Sequence, residues 1–460
     1  MNMAVLAIVL VAYFGVMIAV GFLGRKYADS YDSFISAGRN CGTLMIIGSA
    51  VGSQIGNGFV VGGAGGGAAT GLSGAWYGIA CGLGYLCIGL LLNKVIYKKG
   101  YISLPEFLEE RYGDKKVSVV FSVATVCSYI GNIAAQIMAG SALFKAFGLS
   151  PVLGAVVITI VVLLYSSMSG LWGAFATSVI QVGIILVALI ATFIVVIANG
   201  GIGLINAAIA SGAAPADYWS LGNQGASYII VMIGSVCLAA LCDQQTVQRI
   251  NSAKSEKASF NAHMWATLIC VVCALLPAII GMYGFAVYGD TSNSVFFTVA
   301  INNMPSVVGA IIIAAVIAAI MSTIDSMLIG FSTVALKNIY KGMINPNVSD
   351  KTLKRGDLIV SVVVCAIALI LSFSSDSIIG LLENTYLFLT ACCLVPFVGG
   401  LFWKKGTAKG ALISSIVGLV LVLLSLCNIY SLPNMDLMPI GVAIIVYVVV
   451  SLVDKEGQKA

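Results

Sequence analysis

Charged residues are scarce in this 460-residue chain: Asp, Glu, Lys and Arg make up 9% of it, whereas hydrophobic residues make up 60%. Soluble domains carry about 25% charged residues, so this scarcity excludes a soluble globular protein and predicts a polytopic membrane protein. The net charge of +5 does not indicate nucleic-acid binding, because the basic residues lie in short loops between apolar segments. The apolar segments also lack the repeated charges that line the pore of a channel.

Histidine is nearly absent, since His263 is the only one. Ser73, in Gly71-Leu72-Ser73-Gly74, has the flanking glycines of a nucleophile turn, but such a serine needs a basic partner. His263 begins an apolar segment on the opposite side of the membrane, and no H-E-x-x-H motif replaces it. We therefore expect that the protein is not an enzyme.

Thirteen apolar segments are long enough to span a membrane. With the N-terminus outside, 22 of the 23 lysines and arginines fall on the cytoplasmic side, and only Lys145 falls outside. This distribution follows the positive-inside rule and predicts a multi-pass protein of the plasma (cell inner) membrane with a cytoplasmic C-terminus. The segments are 3–23, 43–67, 74–97, 117–146, 151–170, 174–199, 227–247, 259–288, 304–336, 358–375, 379–403, 408–427 and 433–453.

The most unusual stretch is 48–74, in which 11 of 27 residues are glycine. Each glycine inside a helix costs about 1 kcal/mol relative to alanine, and hydrocarbon penalises unpaired backbone groups. Glycine-interrupted spans indicate the binding site of a secondary transporter. Close helix packing through small residues is the alternative interpretation, and both stay open.

Few ionisable residues lie inside the apolar segments: Asp243, Asp325 and Glu383. Burying a charge is expensive, so each is a candidate functional residue. Ser322 and Thr323 are adjacent hydroxyls that, with carbonyls freed by a broken helix, suit a hard cation. Hydrogen bonding of these hydroxyls to the preceding helical turn is the alternative.

The loop 98–116 contains a helix start. Ser103 and Glu106 form an S-x-x-E capping box, and Pro105 suits the first helical turn. We expect an interfacial helix there.

Together, four motifs resemble the sodium:solute symporter family over essentially the whole chain. They are Ser103-Leu104-Pro105-Glu106-Phe107-Leu108 with Arg111-Tyr112; Tyr165-Ser166 through Ser169-Gly170-Leu171 with Thr177-Ser178-Val179-Ile180-Gln181; Asp243-Gln244 through Val247-Gln248-Arg249; and Met321-Ser322-Thr323 with Asp325-Ser326, ending at Asn338-Ile339-Tyr340. The resemblance implies an all-α, LeuT-type fold with about 13 transmembrane helices. Two five-helix inverted repeats, 43–200 and 227–404, would form the core of a single transmembrane domain, 1–460.

The resemblance also implies a sodium site built from carbonyls of two core helices and two adjacent hydroxyls. By position, the carbonyls are those of Gly52, Ile55 and Ala319, and the hydroxyls those of Ser322 and Thr323. Many members have an aspartate, which helps hold a cation, where this chain has Ser178. Sodium is therefore the expected coupling ion, and protons remain the alternative.

The substrate pocket is expected between the broken second segment and segments three, seven and eleven. Phe59 and Gly74 stand where sugar-carrying relatives have polar side chains, which disfavours a sugar. Glycine amides within 56–67 suit a small carboxylate. An ionised Asp243 would favour a cation or zwitterion, although pairing with Arg249 or nearby backbone is an equal alternative. The candidate contacts are Gln54, Asn57, Phe59, Trp76, Asp243, Gln244, Thr246 and Tyr386.

The sequence thus predicts sodium-coupled uptake of a small carboxylate, amino acid-like or zwitterionic metabolite by alternating access. The expected partners are that solute, the sodium ion and the lipid bilayer, with no nucleic acid. A proton-coupled or uncoupled transporter, or a transporter-like sensor of the same fold, is the alternative.

Overall fold

The computed structural model describes residues 3–24, 30–166, 170–375, 377–427 and 437–454. These residues are almost entirely helical, because in hydrocarbon a helix pairs its backbone polar groups within its own segment. Parts of two sequence predictions, residues 167–169 of the second motif and 433–436 of the last segment, lie outside the described residues. The α-helices are α1 Met3–Gly24, α2 Tyr31–Ser36, α3 Thr43–Gln54, α4 Gly63–Thr70, α5 Trp76–Cys87, α6 Asn93–Lys99, α7 Leu104–Tyr112, α8 Lys115–Ala146, α9 Pro151–Ser166, α10 Gly170–Ala198, α11 Gly201–Ala210, α12 Gly225–Met232, α13 Leu238–Leu241, α14 Gln244–Ser252, α15 Glu256–Cys273, α16 Leu275–Tyr288, α17 Val295–Asn303, α18 Ser306–Ser332, α19 Asp350–Leu371, α20 Ile378–Leu389, α21 Val395–Phe402, α22 Ala408–Leu426 and α23 Met438–Val453.

Several helices join end to end through π-helical turns, at Ile88–Leu92, Ile233–Cys237 and Thr390–Leu394, and a longer π-helical segment, Thr333–Ile344, extends α18. Within the described ranges, seven continuous helices are long and apolar enough to cross a membrane, or eight if one bent pair counts as a span. The multi-pass architecture is therefore confirmed. The count of thirteen segments stays a prediction.

The glycine-rich segment is interrupted near its middle. α3 ends at Gln54, Ile55 and Gly56 leave helical geometry, and the chain resumes as a π-helical turn, Asn57–Gly62, that leads into α4. The glycines of α4 also allow close packing, because a Cβ on Gly67 would overlap the backbone of Ala278 in α16. The close-packing interpretation is therefore confirmed for α4, the interruption is observed at Ile55 and Gly56, and the binding-site interpretation stays a prediction.

A second interruption lies within the predicted segment 227–247, and the sequence did not indicate it. α13 ends at Leu241, α14 begins at Gln244, and the two parts of the span are bent by 48°. The Asp243 carboxylate caps α14 by accepting from the Gln245 amide N–H at 3.2 Å. An acidic N-cap satisfies amide groups that a helix start leaves unpaired, which stabilises the break.

The predicted helix start at Ser103 is confirmed. The Ser103 hydroxyl accepts from the Glu106 amide, and the Glu106 carboxylate accepts from the Ser103 amide, so both halves of the capping box are formed at the start of α7.

The packing of three long helices positions the site. α10 packs against both α3 and α18, and α3 also packs directly against α18. α8 packs against α18 and against the π-helical turn that follows α3. The first helix break is therefore enclosed by α8, α10 and α18 in the interior of the molecule.

Candidate functional site

The Thr323 hydroxyl lies against the carbonyl groups at the end of α3. Its Oγ1 is 3.3 Å from the carbonyl oxygens of both Gly52 and Ser53, and 2.9 Å from that of Ala319 in its own helix. Thr323 is fully buried. The first helix break and α18 thus bring one hydroxyl and three carbonyl oxygens together.

Ser322 completes the pair of hydroxyls. Its Oγ lies 2.7 Å from Ser178 Oγ of α10, which also donates to the Ala174 carbonyl at 2.7 Å. A Cβ on Gly52 would lie 3.2 Å from Ser322 Oγ, so a side chain at position 52 would crowd this contact. Ile55 is buried within the break itself. All five predicted sodium-site residues are therefore grouped around one break.

The open face of Gly56 is surrounded by oxygen atoms. A Cβ on Gly56 would lie 2.8 Å from Thr323 Oγ1, 3.2 Å from Gln136 Oε1 and 3.6 Å from the Ala319 carbonyl oxygen. The three nearest atoms are all oxygens, and Gln136 Oε1 is buried without a hydrogen-bond partner. Neutral oxygen ligands of this kind suit a hard monovalent cation better than a transition metal.

Four of the predicted substrate contacts lie at or beside the first break. Gln54 Oε1 accepts a hydrogen bond from Cys81 Sγ at 3.3 Å, and the Tyr386 hydroxyl lies 3.3 Å from that of Tyr77. Phe59 is buried against Gly78. The backbone of Asn57 begins the π-helical turn, but its side chain lies outside the described part of the chain.

Asp243 lies at the second break. Its Oδ1 accepts from the Tyr129 hydroxyl of α8 as well as from the backbone of α14. The side chain is half-buried rather than fully enclosed. Asp243 therefore pairs with nearby backbone, as one of the alternatives stated. It forms no ion pair with Arg249, which donates to other residues.

Three predicted contacts have structural partners elsewhere. Gln244 is fully buried, donates to the Ile102 carbonyl at 3.0 Å and accepts from the Leu104 amide at 3.1 Å, so it fixes the loop before α7. Thr246 donates to the Ala240 carbonyl at 2.7 Å. Trp76 Nε1 donates to the Leu221 carbonyl at 2.7 Å. We therefore leave these side chains out of the proposed pocket.

An open cavity of about 790 Å³ lies beside α4 and reaches Gly62, at the end of the π-helical turn that follows the first break. Glycines of α4, including Gly65 and Gly66, line the cavity together with Tyr228 of α12. The cavity also contains one basic and one acidic side chain, Lys145 and Glu383. The cavity lining therefore carries charges of both signs.

The opposite end is closed by buried polar contacts from α14, all nine residues of which are buried. Arg249 donates to Ser49 Oγ at 3.2 Å, to Ser53 Oγ at 2.5 Å and to Gln245 Oε1. Gln248 donates to Thr333 Oγ1 at 3.0 Å. These contacts hold α14 against α3 and α18.

Sequence reasoning missed the contacts that three residues make in this region: Tyr129, Gln136 and Arg249. Tyr129, Asn132 and Gln136 recur at three- and four-residue spacing within the apolar helix α8. Such spacing places them on one face of the helix. This row of polar residues in an apolar helix could have indicated Tyr129 and Gln136.

Asp325 was singled out by the sequence and is buried one turn beyond Ser322. Neither of its carboxylate oxygens has a hydrogen-bond partner, and the same holds for the hydroxyl of the adjacent Ser326.

Comparison with known proteins identifies relatives over nearly the full chain. The family model described as "Sodium:solute symporter family" matches residues 34–418. A sodium/glucose cotransporter of Vibrio parahaemolyticus is 26% identical, over 95% of this chain and 87% of that protein. A high-affinity proline transporter of Bacillus subtilis is 27% identical, over 89% of each. A sodium/proline symporter of Escherichia coli is 24% identical, over 88% of this chain and 85% of the relative.

Solved structures show the same fold. A Na+-coupled sialic acid symporter, captured in a substrate-bound outward-open state, superimposes with a TM-score of 0.84 at 19% identity, over 98% of both chains. MhsT in complex with L-phenylalanine superimposes with a TM-score of 0.57 at 14% identity, over 89% of this chain and 98% of the other. The LeuT-type fold implied by the motifs is therefore confirmed.

Proposed function

The chain belongs to the sodium:solute symporter family, and from this premise we propose that it takes up a small zwitterionic or carboxylate metabolite together with sodium. Proteins of this family are secondary transporters, and sodium is their coupling ion. The observation that carries the proposal is the Thr323 hydroxyl, which contacts carbonyl oxygens of the broken α3, while the Ser322 hydroxyl faces Gly52 of the same helix. Gly52, Ile55, Ala319, Ser322 and Thr323 would hold the sodium ion.

The half-buried Asp243 and the absence of sugar-binding groups support a zwitterion. Phe59 is apolar and buried, and a Cβ on Gly74 would overlap the backbone of Gly67, so neither position can present a polar side chain to a hydroxyl-rich ligand. Asp243 would receive the ammonium group, while backbone amides near Gly56 would receive the carboxylate. Gln54 and Tyr386 complete the proposed pocket. Relatives that carry proline are consistent with such a ligand.

The two ends of the molecule support alternating access. The positive-inside distribution assigns the open cavity, which contains Lys145, to the outside. The buried contacts of α14 would then form the closed cytoplasmic gate. Each broken helix begins one of the two proposed repeats, 43–200 and 227–404, so rocking of the repeats about the breaks would open one end as the other closes.

The test is uptake of radiolabelled L-proline, and of a panel of other amino acids and betaines, by the purified chain in liposomes. We expect accumulation to require an inward sodium gradient and to stop when potassium replaces sodium. Replacing Ser322 and Thr323 together by alanine should raise the half-saturating sodium concentration about tenfold or more, because contacts to a charged ligand are lost.

Thr192→Ala is the matched control. The Thr192 hydroxyl is buried in α10 and bonds only the Ala188 carbonyl of its own helix, at 2.8 Å, so sodium dependence should be unchanged. If a proton gradient drove solute accumulation in the absence of sodium, the coupling ion would be the proton and not sodium. Absence of uptake for every solute that thermally stabilises the protein would contradict transport itself.

A further inference from the structure

Gln136 of α8 presents an unsatisfied oxygen to the first helix break. Its Oε1 is buried and has no hydrogen-bond partner, and the side chain is 2% exposed. Leaving such an acceptor unpaired is unfavourable, so a buried amide oxygen without a donor indicates a partner from outside the chain. The identity of that partner follows from what surrounds the oxygen.

The surroundings of Gln136 Oε1 consist of other oxygens. It lies 3.2 Å from the point where a Cβ on Gly56 would stand, and that same point is 2.8 Å from Thr323 Oγ1 and 3.6 Å from the Ala319 carbonyl. Three acceptor atoms from α8 and α18 therefore converge on one point at the break. Thr323 Oγ1 already directs its proton to carbonyl oxygens, so it has no proton left for Gln136.

We propose that Gln136 Oε1 is an additional ligand of the coupling sodium ion. An amide carbonyl oxygen is a hard, neutral donor of the same type as the backbone carbonyls at the break. A cation placed among these oxygens satisfies the Gln136 acceptor, which a hydrogen-bond donor from the protein does not. Gly56 keeps this point free, because any Cβ there would occupy the space that the oxygens surround.

This assignment rests on the proposed sodium coupling and adds a third helix to the site. Ser322, Thr323 and Ala319 belong to α18, and Gly52 and Ile55 belong to α3 and its end. Gln136 ties α8 to the same ion. Occupancy of the site would then hold α8, α18 and the broken helix in one arrangement.

The experiment measures sodium binding without any transported solute. Purified full-length protein is titrated with sodium chloride at constant ionic strength, with choline as the replacement, and its thermal unfolding midpoint is followed by tryptophan fluorescence. An ion that binds the folded state raises the thermal unfolding midpoint by mass action. We expect Gln136→Met, which keeps the side-chain length but removes the oxygen, to raise the half-saturating sodium concentration about tenfold or more.

Two further variants make the result specific. Gln136→Glu retains an oxygen at this position and should keep wild-type or tighter sodium binding. Gln181→Met is the matched control, because Gln181 is also buried with an unpaired Oε1 but lies on α10 with its amide donating to Tyr13 at 2.7 Å. Its sodium titration should match the wild type.

The outcomes separate this assignment from the coupling proposal. If wild type responds to sodium but Gln136→Met responds at the same concentration, Gln136 is not a ligand and sodium coupling stands. If Gln136→Met instead loses only the stabilisation by L-proline, the oxygen serves the solute and the assignment is overturned. If wild-type protein shows no sodium-dependent shift, both proposals fail together. If Gln136→Met does not fold, two other variants decide. Weaker sodium binding by Gly56→Ala, together with normal sodium binding by Gln136→Glu, would support the assignment. Wild-type sodium binding by Gly56→Ala would contradict it.

Discussion

Removing one hydroxyl from the closed end of the molecule should loosen α14 by a measurable amount. Ser53 Oγ accepts from Arg249 Nη2 at 2.5 Å, and this contact joins α3 to α14. In Ser53→Ala the guanidinium stays buried with one donor unpaired while the end is closed, but it is hydrated once the end opens. The closed arrangement alone therefore loses stability.

The size of the effect follows from that single unpaired donor. Leaving a buried donor without an acceptor costs about 1–3 kcal/mol, which corresponds to about a 5- to 150-fold shift in the equilibrium between closed and open forms. Ser49 Oγ and Gln245 Oε1 still accept from Arg249, so the gate should loosen rather than unfold.

Hydrogen–deuterium exchange of the α14 amides in purified protein measures this opening directly. We expect exchange in Gln244–Ser252 to accelerate by about the factor given above, with little change in the distant α22. Ser122→Ala is the matched control, because the buried Ser122 hydroxyl bonds only the Ser118 carbonyl of its own helix at 2.7 Å. Unchanged exchange of α14 in Ser53→Ala, or the same acceleration in Ser122→Ala, would refute the reasoning.

Two further predictions concern packing and ligand charge. Gly67→Ala should lower the free energy of unfolding by about 1–3 kcal/mol or more in thermal melts, because the added methyl group would overlap the Ala278 backbone. Gly183→Ala is the control: a Cβ on Gly183 would meet no neighbouring atom within 4 Å, so this variant should be neutral or slightly stabilising. Asp243→Asn should keep the helix cap and the contact with Tyr129, yet lose the thermal stabilisation by L-proline, because only the negative charge is removed. If L-proline raised the unfolding midpoint of Asp243→Asn as much as that of the wild type, the ammonium group would bind elsewhere.

Which residues meet at the first break could be predicted from the sequence, because each half of the proposed sodium site has a distinct composition. Glycine enrichment around Gly56 marked the first break, and the adjacent hydroxyls of Ser322 and Thr323 marked its partner on α18. The family motifs then indicated that the first break and the two hydroxyls of α18 belong to the same site. The structure brings these residues together without any change to the predicted set.

The proposed solute pocket was harder to predict because a motif gives position along the chain but not the direction of a side chain. Gln244 directly follows Asp243, yet the start of α14 turns its amide toward the loop before α7. The second break was missed for a related reason. Asp243 was treated as an ion in an apolar segment, whereas its role as an N-cap depends on the backbone around it.

The glycine contacts between α4 and α16 constrain how the molecule can move. Gly67 meets the Ala278 backbone, and from the other side a Cβ on Gly281 would overlap the backbone of Ala64. Two helices in reciprocal backbone contact cannot slide past one another without separating, so they form one mechanical unit. Any rotation of the outer half of the broken helix must carry α16 with it, and the distance between the two axes should stay constant throughout the transport cycle.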